Sequence, residues 1–419
     1  MNIMIFEYAL TYISRQYMNR NLQVHSSFIP SDYRTPPEKP LMLYIHIPFC
    51  EELCPYCSFY KVPFEKSLAE QYYESLFREI EHWSQRGYIF DSVYIGGGTP
   101  TVLPGRLADL VALVKKLWPI KDISVETNPN HLVPQYMDPI KDSGINRLSV
   151  GVQTFDDSLL KKLKRYHKYG SGEEIARKLS DLQGTFDTLN IDMMFNFPDQ
   201  TDAMLEYDLS VLNRLQGDQV TYYPLMPSRS VKAEIRSLYG EVDYKKEKRF
   251  YGKIVQSLEG HYDRASAWCF SRKGGMIDEY IVDYNEYVGC GAGAFTYING
   301  EIRANVFSIK EYIEKMNKNQ SPLAAGRAYT VADQVRYDFL MGFFSGYLNL
   351  TILKKRYGSL STVYLTLQFI FMRIAGGITV EGKLFRLTEK GMYYLVILMR
   401  EFFTGVNNVR QHCNIIDRD

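Results

Sequence analysis

The sequence lacks an apolar run long enough to cross a bilayer and lacks a recognisable secretory leader. Its most apolar stretches, residues 363–372 and 393–399, are shorter than the ~18 residues that a spanning helix needs. Residues 1–16 are partly apolar, but they include Glu7 and carry no cationic segment before a long apolar one. We therefore expect a cytoplasmic protein, with membrane contact at most peripheral, at the inner face.

An excess of either charge is also missing. The 419 residues contain 49 Lys and Arg against 48 Asp and Glu, a net charge of +1. No basic face for nucleic acid is indicated, so we expect no nucleic-acid partner. The hydrophobic share of 46% and charged share of 23% are ordinary for a globular protein.

Cysteine is scarce, and half of it is concentrated in one place. Of six cysteines, Cys50, Cys54 and Cys57 form a C-x3-C-x2-C motif after the strand-like run Leu41–Ile47. The other three, Cys269, Cys290 and Cys413, are far apart and are interpreted as small buried apolar residues. Three thiolates on one loop can ligate three corners of an iron–sulfur cube, leaving one iron open. The alternatives are a zinc site without its fourth ligand and chance clustering, but no second C-x2-C pair is present.

Strand and helix patterns alternate from Leu41 onwards. The predicted strands are 41–47, 92–95, 123–127, 147–152, 188–195 and 219–225, with helices between them. Six strands separated by helices favour parallel βα units, which place their chemistry at the carboxyl ends of the strands. Gly96–Pro100, Glu126, Gln153 and Asp192 all fall at or near such ends.

The remaining chain divides into three further predicted segments. Residues 1–40 form an N-terminal extension before the 41–227 barrel, with 28–40 extended because of Pro30, Pro36, Pro37 and Pro40. Residues 228–328 complete the barrel and cover the substrate. Residues 329–419 combine helices, a hairpin at 378–386 and a last helix at 388–403, a pattern typical of a winged-helix unit. With so little excess charge, a packing or lid role is favoured over DNA binding.

The cysteine loop resembles the signature of the radical S-adenosylmethionine (SAM) enzymes. Tyr-Ile-His-Ile-Pro-Phe-Cys, residues 44–50, is similar to the family of oxygen-independent coproporphyrinogen III oxidase. The resemblance implies an α/β fold, a partial (β/α)6 barrel with a C-terminal winged-helix-like domain. It also implies a [4Fe–4S] cluster on Cys50, Cys54 and Cys57. The open iron would bind SAM, whose reductive cleavage gives a 5′-deoxyadenosyl radical.

Further motif positions carry over residue by residue. The resemblance implies that Tyr44, Gly97 and Glu126 contact the first SAM molecule, the glycine motif at its amino group. It implies that a second SAM molecule is contacted by Tyr56, Gly98, Thr99, Gln153, Arg165 and Asp192. An arginine and an aspartate suit the carboxylate and amino groups of a methionyl tail.

Two departures from the family decide the predicted branch. The oxidase carries a fourth cysteine where this chain has Phe59, and the haem-chaperone branch carries a His-Asn…Tyr-Trp motif that residues 278–287 lack. The main prediction is therefore a class C radical SAM methyltransferase, resembling the menaquinone C8-methyltransferases. In those enzymes the deoxyadenosyl radical takes a hydrogen atom from the methyl group of the second SAM, and the resulting methylene radical adds to an sp² carbon. The alternatives are coproporphyrinogen oxidation and haem delivery.

These interpretations imply particular partners. A menaquinone-type lipid or a porphyrinogen would be the substrate, and both would suit a cleft rich in tyrosine and phenylalanine. A flavodoxin- or ferredoxin-type donor of low potential would supply the electron. A lipid tail would require access from the membrane surface, through an apolar patch near residues 363–372.

Overall fold

The structure is a computed structural model that describes residues 3–31, 36–37, 39–272, 286–344 and 346–416. Its central feature is a run of parallel strands, and each strand end leads into a helix or loop. The strands up to residue 224 are β1 (Leu41–Ile47), β2 (Phe49–Cys50), β3 (Val62–Pro63), β4 (Phe90–Gly97), β5 (Asp122–Thr127), β6 (Arg147–Gln153), β7 (Thr188–Phe195) and β8 (Gln219–Pro224). All seven residues of β1 are buried, as expected for a parallel strand covered on both faces.

Helices alternate with these strands. They are α1 (Ile3–Asn21), α2 (Lys66–Gln85), α3 (Pro104–Leu117), α4 (Pro134–Lys141), α5 (Asp157–Lys162), α6 (Tyr166–Tyr169), α7 (Gly172–Asp181), α8 (Asp202–Leu215), α9 (Arg229–Tyr239) and α10 (Tyr244–Leu258). Strands β1, β4, β5, β6, β7 and β8 are neighbours in that order and all pair in parallel. The predicted six-stranded α/β barrel is confirmed.

Additional strands extend both edges of the sheet. They are β9 (Asp263–Arg264), β10 (Cys269–Ser271), β11 (Tyr287–Cys290), β12 (Phe295–Ile298), β13 (Glu301–Asn305) and β14 (Leu323–Ala328), with α11 (Ile309–Asn317) before the last. The order is β14-β13-β12-β11-β1-β4-β5-β6-β7-β8-β10-β9. Only β11 among these additions pairs in parallel, with β1; β10 joins β8 antiparallel. The sheet therefore gains strands from residues 263–271 and 287–328.

The C-terminal region has the predicted winged-helix-like arrangement of helices and a β-hairpin. Its elements are α12 (Val331–Phe344), β15 (Tyr347–Asn349), α13 (Leu350–Tyr357), α14 (Leu360–Ile374), β16 (Ile378–Glu381), β17 (Leu384–Leu387) and α15 (Glu389–Ile416). Strands β15, β17 and β16 form a small antiparallel sheet. Of the helices in the described part of the chain, none is both long and apolar enough to span a bilayer. The division into four segments at 40, 227 and 328 stays a prediction.

The N-terminal extension is more ordered than the sequence suggested. Helix α1 packs along α15, where Arg15 forms an ion pair with Glu401 at 2.7 Å, and it also contacts α14, where Phe6 stacks on Phe371. A Cβ at Gly405 would come within 2.7 Å of the Leu22 side chain, so glycine at this position lets the two segments approach closely. These long-range contacts stabilise a helix whose own apolar periodicity is weak.

A buried carboxyl group on α8 predicts a pH-dependent stability. Asp208 accepts hydrogen bonds from the Thr154 hydroxyl at 3.0 Å and the Phe155 amide at 2.6 Å, but burial raises its pKa to about 7. The folded state thus retains a proton that the unfolded chain releases near pH 3.8. Stability contributed at low pH is therefore lost as the pH rises from about 4 through 7.

We expect Asp208→Asn to flatten this dependence. Urea unfolding of wild type should give a lower free energy of unfolding at pH 7.5 than at pH 5, by up to about 2.5 kcal/mol from this group. The variant should show a smaller difference between the two pH values. An equal difference in both proteins would show that other groups carry the dependence.

Candidate active site

The three motif cysteines lie on one loop at the carboxyl end of β1. The pairing of β2 with β3 holds the loop closed, with the Phe64 amide donating to the Cys50 carbonyl at 2.8 Å. Cys50 is buried, Cys54 and Cys57 are half-buried, and all three are free thiols. The Cys57 amide donates to the Cys54 carbonyl at 3.3 Å, so these two belong to one tight turn.

Hydrogen-bond donors are directed at the sulfur atoms. The Thr99 hydroxyl lies 3.5 Å from Cys50 Sγ, and an Arg165 guanidinium nitrogen lies 3.5 Å from Cys54 Sγ. Burial raises the pKa of the Cys50 thiol to about 11, and the Thr99 hydroxyl opposes that shift. Donors of this kind stabilise thiolate ligands and tune a metal centre.

The donor set fits an iron–sulfur cube better than a single ion. Across the described ranges, no three His, Cys, Asp or Glu side chains converge as they would around one metal ion. In a cube each cysteine ligates a different iron, so three thiolates need not share one centre. Cys50, Cys54 and Cys57 would hold three irons, and the fourth would remain open to a substrate.

The glycine triplet, Gly96–Gly98, runs beside this loop. The Gly98 amide donates to the Ile47 carbonyl at 2.7 Å, and the Gly97 amide donates to Glu126 Oε2 at 3.0 Å. A Cβ at Gly97 would lie 2.4 Å from the His46 ring, and Gly97 has φ +114°. Only glycine fits here, so the backbone passes between the β1 end and the Glu126 carboxylate.

Gly98→Ala tests this close approach. Its Cβ would lie 2.6 Å from the Phe49 carbonyl oxygen, so the triplet must shift. We expect SAM affinity to fall about ten-fold or more, since such overpacking costs about 1–3 kcal/mol. The control is Gly105→Ala, where a Cβ on α3 meets nothing within 4 Å. Equal affinities for the two variants in equilibrium dialysis would remove Gly98 from the site.

A second group of contacts fixes the end of β1. The Tyr44 hydroxyl and His46 Nδ1 are 2.8 Å apart, and His46 Nε2 lies 3.1 Å from the Tyr60 carbonyl. Burial lowers the pKa of His46 to about 3, so the ring is neutral. The Tyr94 hydroxyl donates to Glu126 Oε1 at 2.9 Å. Tyr44, Gly97 and Glu126, predicted for the first SAM molecule, thus lie on the adjacent strands β1, β4 and β5.

Arg165 contacts several groups at the site. It is buried, donates to the Tyr56 hydroxyl at 3.0 Å and to the Gly151 carbonyl, and stacks 4.2 Å from the Tyr169 ring centre. Its buried Nε has no hydrogen-bond partner among the described residues. A buried cation with a spare N–H suits the carboxylate of a ligand.

The remaining predicted residues lie on β6 and β7. Asp192 accepts from the Ser149 hydroxyl at 2.7 Å and from Asn190 Nδ2 at 2.8 Å. Gly151, which accepts from Arg165, is the register partner of Asp192. Gln153 has φ +77° at a register shift in β6. Thr99, Tyr56, Arg165 and the cysteines therefore form one contact network, and Asp192 and Gln153 lie on the strands beside it.

Sequence reasoning missed several side chains in this network. Asn128 joins Thr99 and Arg165, donating to the Thr99 hydroxyl at 2.7 Å and accepting from Arg165 at 3.5 Å. The sequence does contain a signal for Asn128, because it lies two residues after Glu126 and just past the end of β5. Asn196 follows β7 and is buried with φ +70°. Its backbone amide donates to Gln200 Oε1, whereas its side-chain amide has no hydrogen-bond partner in the described part of the chain.

An apolar group covers one side of the cysteine loop. Tyr56 and Phe197 meet edge to face at 5.6 Å, and Cys54 and Cys57 pack against the same group. Its buried members are Tyr56, Leu159, Leu163, Phe197, Leu225, Ile235 and Tyr239. This packing limits water near the sulfur atoms.

The residues that separated the family branches are only partly described. Phe59 is 47% exposed, and the Arg410 guanidinium lies 5.0 Å from its ring centre. Most of the stretch compared with the chaperone motif, residues 278–285, lies outside the described residues. Position 59 therefore carries an exposed aromatic ring where the oxidase carries a cysteine.

Comparison with known proteins places this site in context. The profile of the radical SAM superfamily matches residues 44–212. The haem chaperone HemW of Bacillus subtilis (strain 168) is 31% identical over 317 residues, covering 71% of this chain and 82% of that protein. The oxygen-independent coproporphyrinogen III oxidase of Escherichia coli (strain K12) is 27% identical over 330 residues, with 73% and 71% covered.

A solved structure agrees with the fold. Coproporphyrinogen III oxidase (HemN) from Escherichia coli superposes with a TM-score of 0.76 at 22% identity, covering 91% of this chain and 95% of that one. At this identity the likeness concerns the fold alone. None of the three proteins compared here is named as a methyltransferase, so the predicted menaquinone methyltransferase branch gains no support from them.

Proposed function

Because the chain belongs to the radical SAM superfamily, in the family of the haem chaperone HemW and oxygen-independent coproporphyrinogen III oxidase, we propose that it is a radical enzyme acting on a substrate that contains unsaturated rings. Enzymes of this superfamily use a [4Fe–4S] cluster and SAM. The observation that carries the proposal is the loop of three free cysteines with Thr99 and Arg165 directed at its sulfur atoms. The tetrapyrrole named in the relatives makes a porphyrinogen the first substrate candidate.

When bound, the cluster supplies the electron transfer that cleaves SAM to a 5′-deoxyadenosyl radical. The protein's own residues hold and orient the nucleoside. Glu126, fixed by Tyr94 and the Gly97 amide, is placed to accept from the methionyl amino group. The glycine triplet lets backbone amides approach the ligand, and the apolar group around Tyr56 limits water.

The proposal includes a second SAM molecule. Its support is the network of Tyr56, Thr99, Asn128 and Arg165, in which a buried guanidinium keeps a spare N–H. Among the described residues, the Arg165 guanidinium contacts a thiol, a hydroxyl and two carbonyl oxygens, but no carboxylate. A carboxylate on the ligand would therefore balance its charge. A flavodoxin- or ferredoxin-type protein would donate the electron.

Methyl transfer to a quinone ring is the second candidate. Phe59 stands where the oxidase carries a cysteine and so argues against oxidation, but the haem-chaperone branch has phenylalanine there too; what separates methyl transfer from haem delivery is the stretch 278–287, which lacks the chaperone motif. Methyl transfer also uses the second SAM molecule as the methyl source. Haem delivery, the function named for HemW, is the third candidate and requires no turnover.

Parallel anaerobic assays separate these candidates. Reduced, reconstituted protein would be incubated with SAM and either coproporphyrinogen III or menaquinone, and products quantified by mass spectrometry. Deoxyadenosine with loss of carbon dioxide from the porphyrinogen would support oxidation. Deoxyadenosine together with S-adenosylhomocysteine and a methylated quinone would support methyl transfer. Stoichiometric haem binding with neither product would leave the delivery role and contradict the enzymatic proposal.

A further inference from the structure

Helix α14 presents a row of apolar side chains to solvent. Val363, Leu367, Ile370 and Ile374 are 64%, 78%, 50% and 80% exposed. Their spacing of four, three and four residues places them on one side of the helix, and we call them the α14 stripe. Contiguous exposed apolar side chains on a folded protein mark an interaction site.

The opposite side of α14 is packed into the protein. Leu365 and Met372 are buried, and the Phe369 ring lies 5.4 Å from that of Phe339 on α12. Phe371 stacks on Phe6 of α1 at 4.6 Å. The helix therefore already has its core face, and the stripe is a second apolar face that packing leaves outside.

The sequence on either side of the stripe is rich in cations. Residues 346–390 contain seven Lys and Arg against two Glu, although the whole chain is nearly neutral. Lys354 and Lys355 are exposed on α13, just before α14, and Arg373 adjoins Ile374. Both acidic residues are engaged, Glu381 with Arg386 and Glu389 with Arg264. Arg356 is engaged too, with Asp338 and Glu286. Among the described residues Lys354, Lys355 and Arg373 have no acidic partner, so these are the cations that the face adds to its apolar side chains.

We propose that the α14 stripe docks this protein on an anionic lipid surface. A helix with apolar side chains outward and cations at its flanks lies in the plane of such an interface and is attracted by its charge. A second copy of the chain is the less suitable occupant, because a two-fold interface would place this cationic face against itself. The proposal stands apart from the choice of ring substrate.

Vesicle sedimentation tests this surface with the full-length protein. Vesicles of phosphatidylcholine alone would be compared with vesicles containing about 30% phosphatidylglycerol, where each nearby cation adds about 1 kcal/mol of attraction and binding should be at least about ten-fold tighter. Leu367→Gln combined with Ile374→Gln should weaken binding to the anionic vesicles by about ten-fold or more, because two inserted side chains are lost. Lys354→Gln combined with Lys355→Gln should lower binding and reduce its salt dependence.

Ile29→Gln is the matched control, since Ile29 is 88% exposed but far from α14 in the chain. It should bind anionic vesicles as wild type does. Circular dichroism and thermal melting should be unchanged in all variants, because the altered side chains lie outside the core. Three outcomes would overturn the proposal: no vesicle binding by wild type, equal binding by the stripe variant, or a wild-type dimer that the stripe variant abolishes without any vesicle binding.

Discussion

Replacing Cys54 by alanine is expected to abolish the iron–sulfur chromophore and all SAM cleavage. Cys54 lies between Cys50 and Cys57 on the loop and receives a contact from Arg165 at 3.5 Å. With two thiolates left, the cube loses a corner, and the remaining loop offers no fourth cysteine because position 59 is phenylalanine. Iron content, visible absorption and deoxyadenosine formation should all fall to background.

The matched control for this variant is Cys269→Ala. Cys269 is buried in β10 at the far side of β8, so its loss should lower stability modestly and leave the cluster intact. Normal iron content in Cys54→Ala, or equal loss in both variants, would contradict the assignment. The comparison separates loss of a ligand from loss of the fold.

Arg165→Gln is expected to remove one of two bound SAM molecules. Breaking a buried, hydrogen-bonded ion contact costs about 2–5 kcal/mol, equivalent to about 30-fold or more in affinity. Equilibrium dialysis at saturating SAM should give two molecules per chain for wild type and one for the variant. Substrate-dependent product should fall sharply, while iron content remains normal.

Arg177→Gln provides the same chemical change at an exposed position on α7. It should keep both SAM molecules and full turnover. If Arg165→Gln still binds two molecules with unchanged affinity, the second nucleoside site is elsewhere. If it loses its iron as well, Arg165 instead acts on the cysteine loop through Cys54.

The parallel strands were predictable because their burial is local and regular. The strand Thr188–Phe195 was predicted with the bounds that the structure shows. Buried parallel strands are nearly continuous apolar runs, and polar residues at their ends mark the active edge. The positions of Glu126 and Gln153 followed from that rule, whereas Asp192 lies in the interior of β7 rather than at its end.

Elements held by distant contacts were not predictable in the same way. Helix α1 depends on α15, nearly the whole chain away, and α15 itself extends to Ile416 rather than ending at Phe403. Gly405 lies beyond the predicted end of that helix and allows α1 to approach closely. Residues 289–295 are mostly small and bring backbones together, since a Cβ at Gly289 would lie 2.1 Å from the Phe295 carbonyl.

The side chains that complete the site were the least predictable. Asn128 and Tyr169 contact Arg165 only because β5, α5 and α6 converge there. The family resemblance supplied the cysteines and glycines, whose spacing is fixed within one loop or turn. The resemblance was a poorer guide to the branch of the family. The branch prediction depended on Phe59 and on residues 278–287, and neither identifies a ring substrate.

The most direct test is metal analysis with electron paramagnetic resonance on anaerobically reconstituted protein. We predict about four irons and four sulfides per chain, and a reduced-cluster signal that changes when SAM is added, because one iron of the cube lacks a protein ligand. Bound zinc, no metal, or an iron signal that SAM leaves unchanged would contradict a three-cysteine cluster with an open iron.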